Sequence, residues 1–248
     1  MKSFSNIYIF LFSTAMVTIV AVLLSFVAEQ LRPIQEKNVE VEKKLDILRS
    51  VGEADSLNEV KKKDKDTYIE EEYDKNITNS FVISPSGELK EDMDAFTVDM
   101  KVELNKTEEE ERNLPIFVYT ADDSTKKYVF PLRGTGLWGP IWGYIALYDD
   151  YNTIYGAIFN HSKETPGLGA EINESWFQEQ FENKTIFDEN GNFMSVEVVK
   201  GGAKPDDPHA VDAISGGTIT STALEDMLRE CLGNYVQYFK TLKDNQNE

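Results

Sequence analysis

The sequence predicts an α+β fold: a mainly antiparallel sheet with flanking helices, preceded by one transmembrane helix. Three observations carry this expectation. Short segments of strand character follow one another between residues 96 and 198 in runs, without the strict strand–helix alternation of a doubly wound sheet. A charge-free segment near the amino terminus has the length of a bilayer crossing. From Leu224 to Leu242 the apolar residues keep the three-and-four spacing of one buried helix face. With 248 residues and 41% hydrophobic composition, the chain can bury one sizeable core once the membrane segment is set aside.

Taken in order, residues 1–6 read as a short cytoplasmic amino terminus and residues 7–28 as the transmembrane helix. Ile7 to Ala28 carries no charge and as a helix rises about 33 Å, enough for a hydrocarbon core of about 30 Å. Phe26 stands where a cleavage site ending at Ala28 requires a small residue, which favours a retained anchor over a signal peptide. Residues 29–76 read as a charged helical connector. Within it, Ile34 to Val51, with Val39, Val41, Leu45, Ile47, Leu48 and Val51, suits a helix leaving the membrane and docking on the domain, ended by Gly52, and Glu53 to Lys75 is a solvated helix or mobile connector. Residues 77–248 form the soluble domain. Phe96, Val98, Met100, Val102 and Leu104 alternate with polar neighbours and predict a strand with one face buried. Further strands are expected at Ile116–Tyr119, Tyr128–Leu132, Ile141–Leu147, Thr153–Phe159 and Met194–Val198. A helix is expected over Glu174–Phe181 and a turn at Asp188–Gly191. The last helix is expected to begin at Thr222, where Glu225 three residues on makes a capping box.

Charge and composition exclude several function classes. A formal net charge of −19 argues against nucleic acid, whose phosphates need a basic footprint. A single cysteine, Cys231, and two histidines, His161 and His209, give neither a disulfide framework nor a Cys/His metal set. Cys231 lies on the apolar helix face and reads as core. No Gly-x-Gly-x-x-Gly stretch leads from a strand into a helix as a dinucleotide fingerprint does, and there is no cysteine set for an iron–sulfur cluster.

Three glycine-bearing segments remain as candidate chemistry. Asp212-Ala213-Ile214-Ser215-Gly216-Gly217-Thr218-Ile219-Thr220-Ser221-Thr222 precedes the last helix. Its glycines allow a tight turn, its hydroxyls crowd together, and the helix start favours an anion. On spacing alone it is equally a glycine turn into a capped helix. Gly134-Thr135-Gly136-Leu137-Trp138-Gly139-Pro140 joins two expected strands. His161-Ser162-Lys163-Glu164-Thr165-Pro166-Gly167-Leu168-Gly169 follows a third, and read alone it is a Pro-Gly turn. A fourth stretch, Lys200-Gly201-Gly202, follows the Met194–Val198 segment.

Asp-x-x-Ser-Gly-Gly-Thr resembles the flavinylation motif of the covalent FMN-binding domain family. Gly217 stands where that family usually has alanine. Gly-Leu-Trp-Gly, Glu-Thr-Pro-Gly-Leu-Gly and Ser-Gly-Gly-Thr occur here in the family's order, and the ordered set is far more specific than any one of them. The resemblance implies an FMN-binding domain over residues 77–248, with FMN in phosphoester linkage to Thr218. Ser215, Gly216 and Gly217 would shape the acceptor turn, and Trp138 would stand at the edge of the flavin. Glu164, Thr165, Leu168 and Gly169 would line the ring, with Lys200 placing positive charge near it. Pro33-Ile34-Gln35, Asn38 and Lys43-Lys44-Leu45-Asp46-Ile47-Leu48 resemble the region after the membrane helix in the C-subunit family of the sodium-translocating NADH:quinone oxidoreductases. That resemblance implies an electron-relay subunit, passing electrons between an iron–sulfur centre and another flavin toward quinone, within a multi-subunit assembly. It also implies an inner-membrane protein with one helix in lipid, its domain on the periplasmic side, and a flavin transferase for maturation. The G subunit of the related ferredoxin-linked (Rnf-type) oxidoreductase, and an anchored non-redox binding domain, are the alternatives.

Overall fold

The computed structural model describes residues 5–54, 57 and 60–246. Residues 1–4 of the expected cytoplasmic terminus lie outside them. The chain divides into two compact units, Met1–Lys43 and Lys44–Glu248. From Asn6 onward the first is helical, as part of α1 (Asn6–Ser50). Mean hydropathy within α1 reaches 2.5 over an 18-residue window whose side chains are all exposed. A helix apolar on every face is matched to lipid, and α1 fits a single-pass membrane anchor. Pro33 lies inside α1, so the helix runs through the residue where the sequence suggested a new segment; what it loses there is one backbone hydrogen bond.

The second unit is built on a six-stranded sheet in the order β2-β1-β3-β4-β5-β6. The strands are β1 (Ile77–Ile83), β2 (Leu89–Lys90), β3 (Leu114–Thr120), β4 (Lys126–Thr135), β5 (Pro140–Tyr148) and β6 (Ile154–His161). Every neighbouring pair is antiparallel. Both faces of the sheet are covered, which explains the unbroken apolar run of β3. Leu114 and Ile116 enter one core together with Phe130, Leu132, Ile141 and Ile145. Phe117 and Tyr119 point the other way, to a second core shared with Val129, Tyr144, Ile47 and Val51. The alternation is the period of two that a pleated strand imposes.

The expected strand from Phe96 to Leu104 is instead a 3-10 turn, Ala95–Thr97, followed by α3 (Met100–Leu104). Asp94 accepts from Phe96 N at 2.9 Å and Asp99 from Lys101 N at 2.8 Å. These aspartates take the amides that a sheet ladder would need and cap two short turns. The buried positions are then Ala95 and Val98, Met100 and Glu103, while Val102 is exposed. Within each turn the two buried positions lie three residues apart, not two.

Met194–Val198 is likewise shorter as a strand than expected. Ser195 has φ 63°, which no strand accommodates, and β7 spans only Glu197–Val199. It pairs in parallel with β8 (Ala210–Asp212). Within the expected connector, just before the sheet, α2 covers Lys65–Asn76. Helix α4 (Ser175–Gln178) and a 3-10 turn at Glu179–Phe181 occupy the expected 174–181 helix. The carboxy-terminal helix is two helices, α5 (Thr218–Gly233) and α6 (Val236–Gln246). Asn234 marks the break: its Nδ2 donates to Glu230 O at 2.7 Å, and its Oδ1 accepts from Arg112 Nη1 at 2.8 Å. Leu224, Met227, Leu228, Cys231, Leu232, Tyr235 and Phe239 are all buried, so the apolar face was legible although the break was not.

Candidate functional site

Strand β4, strand β5 and helix α5 bring the motif-bearing loops to one end of the sheet. Helix α5 lies along β4, where the buried Cys231 thiol accepts from Arg133 N at 3.3 Å and donates to Arg133 O at 3.5 Å. Burial pushes that thiol up to about 12, so it is a core group, not a nucleophile. The β4–β5 hairpin closes with Gly136 N donating to Gly139 O at 2.8 Å. The loop after β6 folds back through Leu168 N and Ala170 N, which both donate to Thr165 O at 3.1 Å. A third turn, with Gly217 N donating to Ile214 O at 3.0 Å, leads into α5.

The three loops meet at Glu164, which is 5% exposed. Its Oε1 accepts from Trp138 N at 2.9 Å, and its Oε2 accepts from Thr220 Oγ1 at 2.7 Å. The glycines around it fit this knot. A Cβ on Gly136 would stand 2.6 Å from Glu164 Oε1, and one on Gly169 would stand 2.6 Å from Glu164 Oε2. Gly216, at φ 75°, adopts the left-handed conformation that lets the turn pass over Leu168, where a Cβ would come within 2.6 Å of Cδ2.

Helix α5 begins at Thr218, four residues before the expected capping box. Glu225 does not fold back on Thr222; it accepts from Val198 N at 3.0 Å and ties α5 to β7. The N-cap is Gly217, which offers no side-chain acceptor. The amides of Thr218, Ile219 and Thr220, at the start of the helix, have no intrahelical carbonyl to bond. Thr218 itself is half-buried, beside exposed Ser215 and Gly216. An anion joined to Thr218 would meet those amides and the positive end of the helix dipole, so the residues present fit a phosphate.

Around Thr218 the surface is apolar: Trp138 is 62% exposed, Leu168 41% and Ile219 59%. These side chains can cover a planar ring. Thr165 is exposed and Gly169 buried. Lys200 is exposed at the end of β7, whose Val199 O accepts from Ala213 N at 3.0 Å and so sits beside the acceptor turn. A cavity of about 300 Å³ lies along β8, between Lys184, Lys204 and Asp212, and of the three motif segments it meets only the first residue of the acceptor segment, Asp212. Sequence reasoning placed Thr220, Ser221 and Ile214 in the acceptor segment but gave them no inward, structural role. Their signal was present in the hydroxyl cluster, but which hydroxyls face inward depends on where the helix starts. Thr220 and Ser221 are buried, the latter accepting from Ile214 N at 3.1 Å.

Residues 136–233 match the FMN-binding domain family, a span that takes in Trp138, the Glu164 loop and Thr218. The chain is also similar to a solved structure of the C subunit of Na(+)-translocating NADH-quinone reductase from Parabacteroides distasonis. The two are 41% identical with a TM-score of 0.72, over 84% of this chain and 96% of that one. The chain belongs to this C-subunit family. The C subunit of Vibrio vulnificus strain YJ016 is 36% identical over 119 residues, 48% of this chain and 46% of that protein. Over that match the chain spans about half the length of its curated relative. The C subunit of Neisseria meningitidis strain Z2491 is 29% identical over 227 residues, covering 86% of this chain and 85% of that protein. The FMN-binding match takes in the knot around Glu164 as well as the cavity along β8.

Proposed function

We propose that this member of the C-subunit family is an electron-relay subunit of a sodium-translocating NADH-quinone reductase, with FMN esterified to Thr218. The observation that carries the reading is the place of Thr218: half-exposed on the first turn of α5, ahead of uncapped amides, inside the FMN-binding match. FMN, when bound, supplies reversible electron transfer between partners that hold an iron–sulfur centre and a further flavin. The chain's own residues do the holding. Amides at the start of α5 receive the phosphoryl oxygens, and Trp138, Leu168 and Thr165 flank the ring. Gly169 closes the loop behind them, and Lys200 adds positive charge nearby. Attachment needs an activated phosphoryl donor and a separate transferase. Thr218 Oγ1 bonds to the flavin-bearing phosphorus of a flavin dinucleotide, the nucleotide monophosphate leaves with the anhydride oxygen, and the hydroxyl proton passes to a base of the transferase. Other subunits of the assembly oxidise NADH and reduce quinone.

The test is Thr218→Val, which keeps the branched shape and removes the oxygen. Coexpressed with a flavin transferase, the wild-type chain is expected to show the mass increment of FMN and in-gel fluorescence after denaturation; Thr218→Val is expected to show neither. Covalent flavin on the variant would move the attachment to another hydroxyl. Thr222, exposed on the same helix, is the candidate then, since Thr220 is buried and engaged.

We further propose that the soluble domain lies outside the cytoplasm, with α1 retained in the inner membrane. The acidic bulk of the chain follows the span, and maturation by an extracytoplasmic transferase requires Thr218 on that side. Protease added to intact spheroplasts is expected to digest the domain, and full protection there would reverse the orientation.

A further inference from the structure

We infer that Glu164 is a positioning residue that sets which face of the first α5 turn carries the acceptor hydroxyl, and that it is not a ligand of the flavin ring. The inference rests on the proposed esterification of Thr218. Both carboxylate oxygens are already engaged within the protein, one by Trp138 N at 2.9 Å and the other by Thr220 Oγ1 at 2.7 Å. The side chain is 5% exposed, which leaves little of it open to a ring.

Its effect on Thr218 follows from helix geometry. Successive residues of a helix are rotated by about 100°, so positions two apart point about 200° from each other. Fixing Thr220 inward therefore turns Thr218 outward. Thr220 is 2% exposed while Thr218 is half-exposed. Ser221, next in line, accepts from Ile214 N at 3.1 Å and donates its own amide to Gly217 O at 2.9 Å, which holds the same rotation from the other side.

The glycines support the staple. Gly136 and Gly169 leave space that the Glu164 carboxylate and Thr220 hydroxyl fill, since a Cβ at either would lie 2.6 Å from a Glu164 oxygen. Two of the three glycine motifs are thus explained by packing around one buried carboxylate, without a ligand approaching there. Trp138 is held by the same group through its backbone, which leaves its 62% exposed side chain free to face outward beside the acceptor.

The experiment compares Glu164→Ala, Glu164→Gln and Thr220→Val with wild type. One readout is the rate of covalent flavin attachment by intact mass, with the transferase present; the other is hydrogen exchange at the Ser221 amide, which needs no flavin. Glutamine can reproduce both contacts, its oxygen accepting from Trp138 N and its nitrogen donating to the Thr220 hydroxyl. Glu164→Ala and Thr220→Val are expected to slow attachment about tenfold and to speed exchange about tenfold, the scale of one lost hydrogen bond. Glu164→Gln is expected to return both to within about twofold of wild type, which a mere requirement for charge would not.

Wild-type rates in Glu164→Ala overturn the inference. So does an equal loss in Glu164→Gln and Glu164→Ala, which would make the charge the determinant. A wild-type chain that takes up no flavin refutes the proposed attachment, and the exchange readout then decides the positioning role alone. Should Glu164→Ala fail to fold, Thr220→Val against Glu164→Gln carries the same comparison.

Discussion

Glu103 shows at the scale of one residue how a charge can be both buried and stabilising. Burial is the largest single influence on its carboxyl and acts to raise it. The Lys106 ammonium at 2.5 Å and the Asn113 amides at 2.7 and 3.1 Å outweigh burial and hold it below the usual carboxylate range. A folded-state value below the unfolded one adds stability that is present above the unfolded pKa and lost as pH falls through the folded pKa. Glu103→Gln is therefore expected to lower Tm at pH 7, and the gap to wild type is expected to close toward about pH 3, below the ordinary carboxylate range. A gap that persists unchanged at that pH would assign the loss to packing and not to charge. Such residues are the least legible in a sequence. Alternation makes Glu103 a polar, outward position of a strand, and only its partner ten residues on, Asn113, explains its burial. The turn before Thr218 was legible for the opposite reason: Ile214, Gly216 and Gly217, which form it, are neighbours in the chain.

Helix α5 makes the same contrast at the scale of an element. Its apolar face was readable from spacing, because burial of Leu224, Met227 and Leu228 follows from a period that tertiary structure does not alter. Its first turn was not, because a Thr-x-x-Glu pair is only a capping box if the helix begins there. Here the chain begins the helix earlier, with Ser221 N bonded to Gly217 O at 2.9 Å and Ser221 Oγ accepting from the buried Ile214 N at 3.1 Å. Ser221→Ala removes that acceptor and leaves a buried N–H unpaired, a cost of about 1–3 kcal/mol. Urea unfolding of the soluble unit is expected to show a lower midpoint at unchanged slope. An unchanged midpoint would mean that water replaces the hydroxyl. Helix α3 failed to announce itself for a related reason: five residues are too few to display a period, and what decided them was capping by Asp99, which alternation of apolar residues cannot reveal.

At the scale of the whole chain, the physical question is where the soluble unit begins. Composition places a charged connector before residue 77, and most lysines and acids of that stretch do face solvent. Yet Ile47 and Leu48 are 0% exposed, Val51 1% and Ile69 4%. Fully burying an aliphatic side chain is worth about 1.5–3 kcal/mol, so these residues together contribute roughly 6–12 kcal/mol as an upper estimate, against a domain stability of about 5–15 kcal/mol. Polar groups add to the dependence. Lys127 Nζ donates to Val51 O at 3.2 Å at the carboxy-terminal end of α1, and it lies 3.3 Å from the Tyr155 ring centroid and 4.7 Å from that of Tyr119. The Tyr119 hydroxyl in turn donates to Glu53. Burial already lowers the Lys127 pKa, and removing Val51 would leave that cation without its carbonyl. A chain cut to 44–248 is therefore expected to unfold cooperatively as a soluble protein. A chain cut to 77–248, although it keeps every sheet strand and all the flavin motifs, is expected to bind a hydrophobic dye and to show no cooperative thermal transition. If 77–248 melts as sharply as 44–248 and at a Tm within about 4 °C, a shift worth about 1–2 kcal/mol in a domain of this size, the end of the anchor helix is a passenger on the sheet and not part of its core.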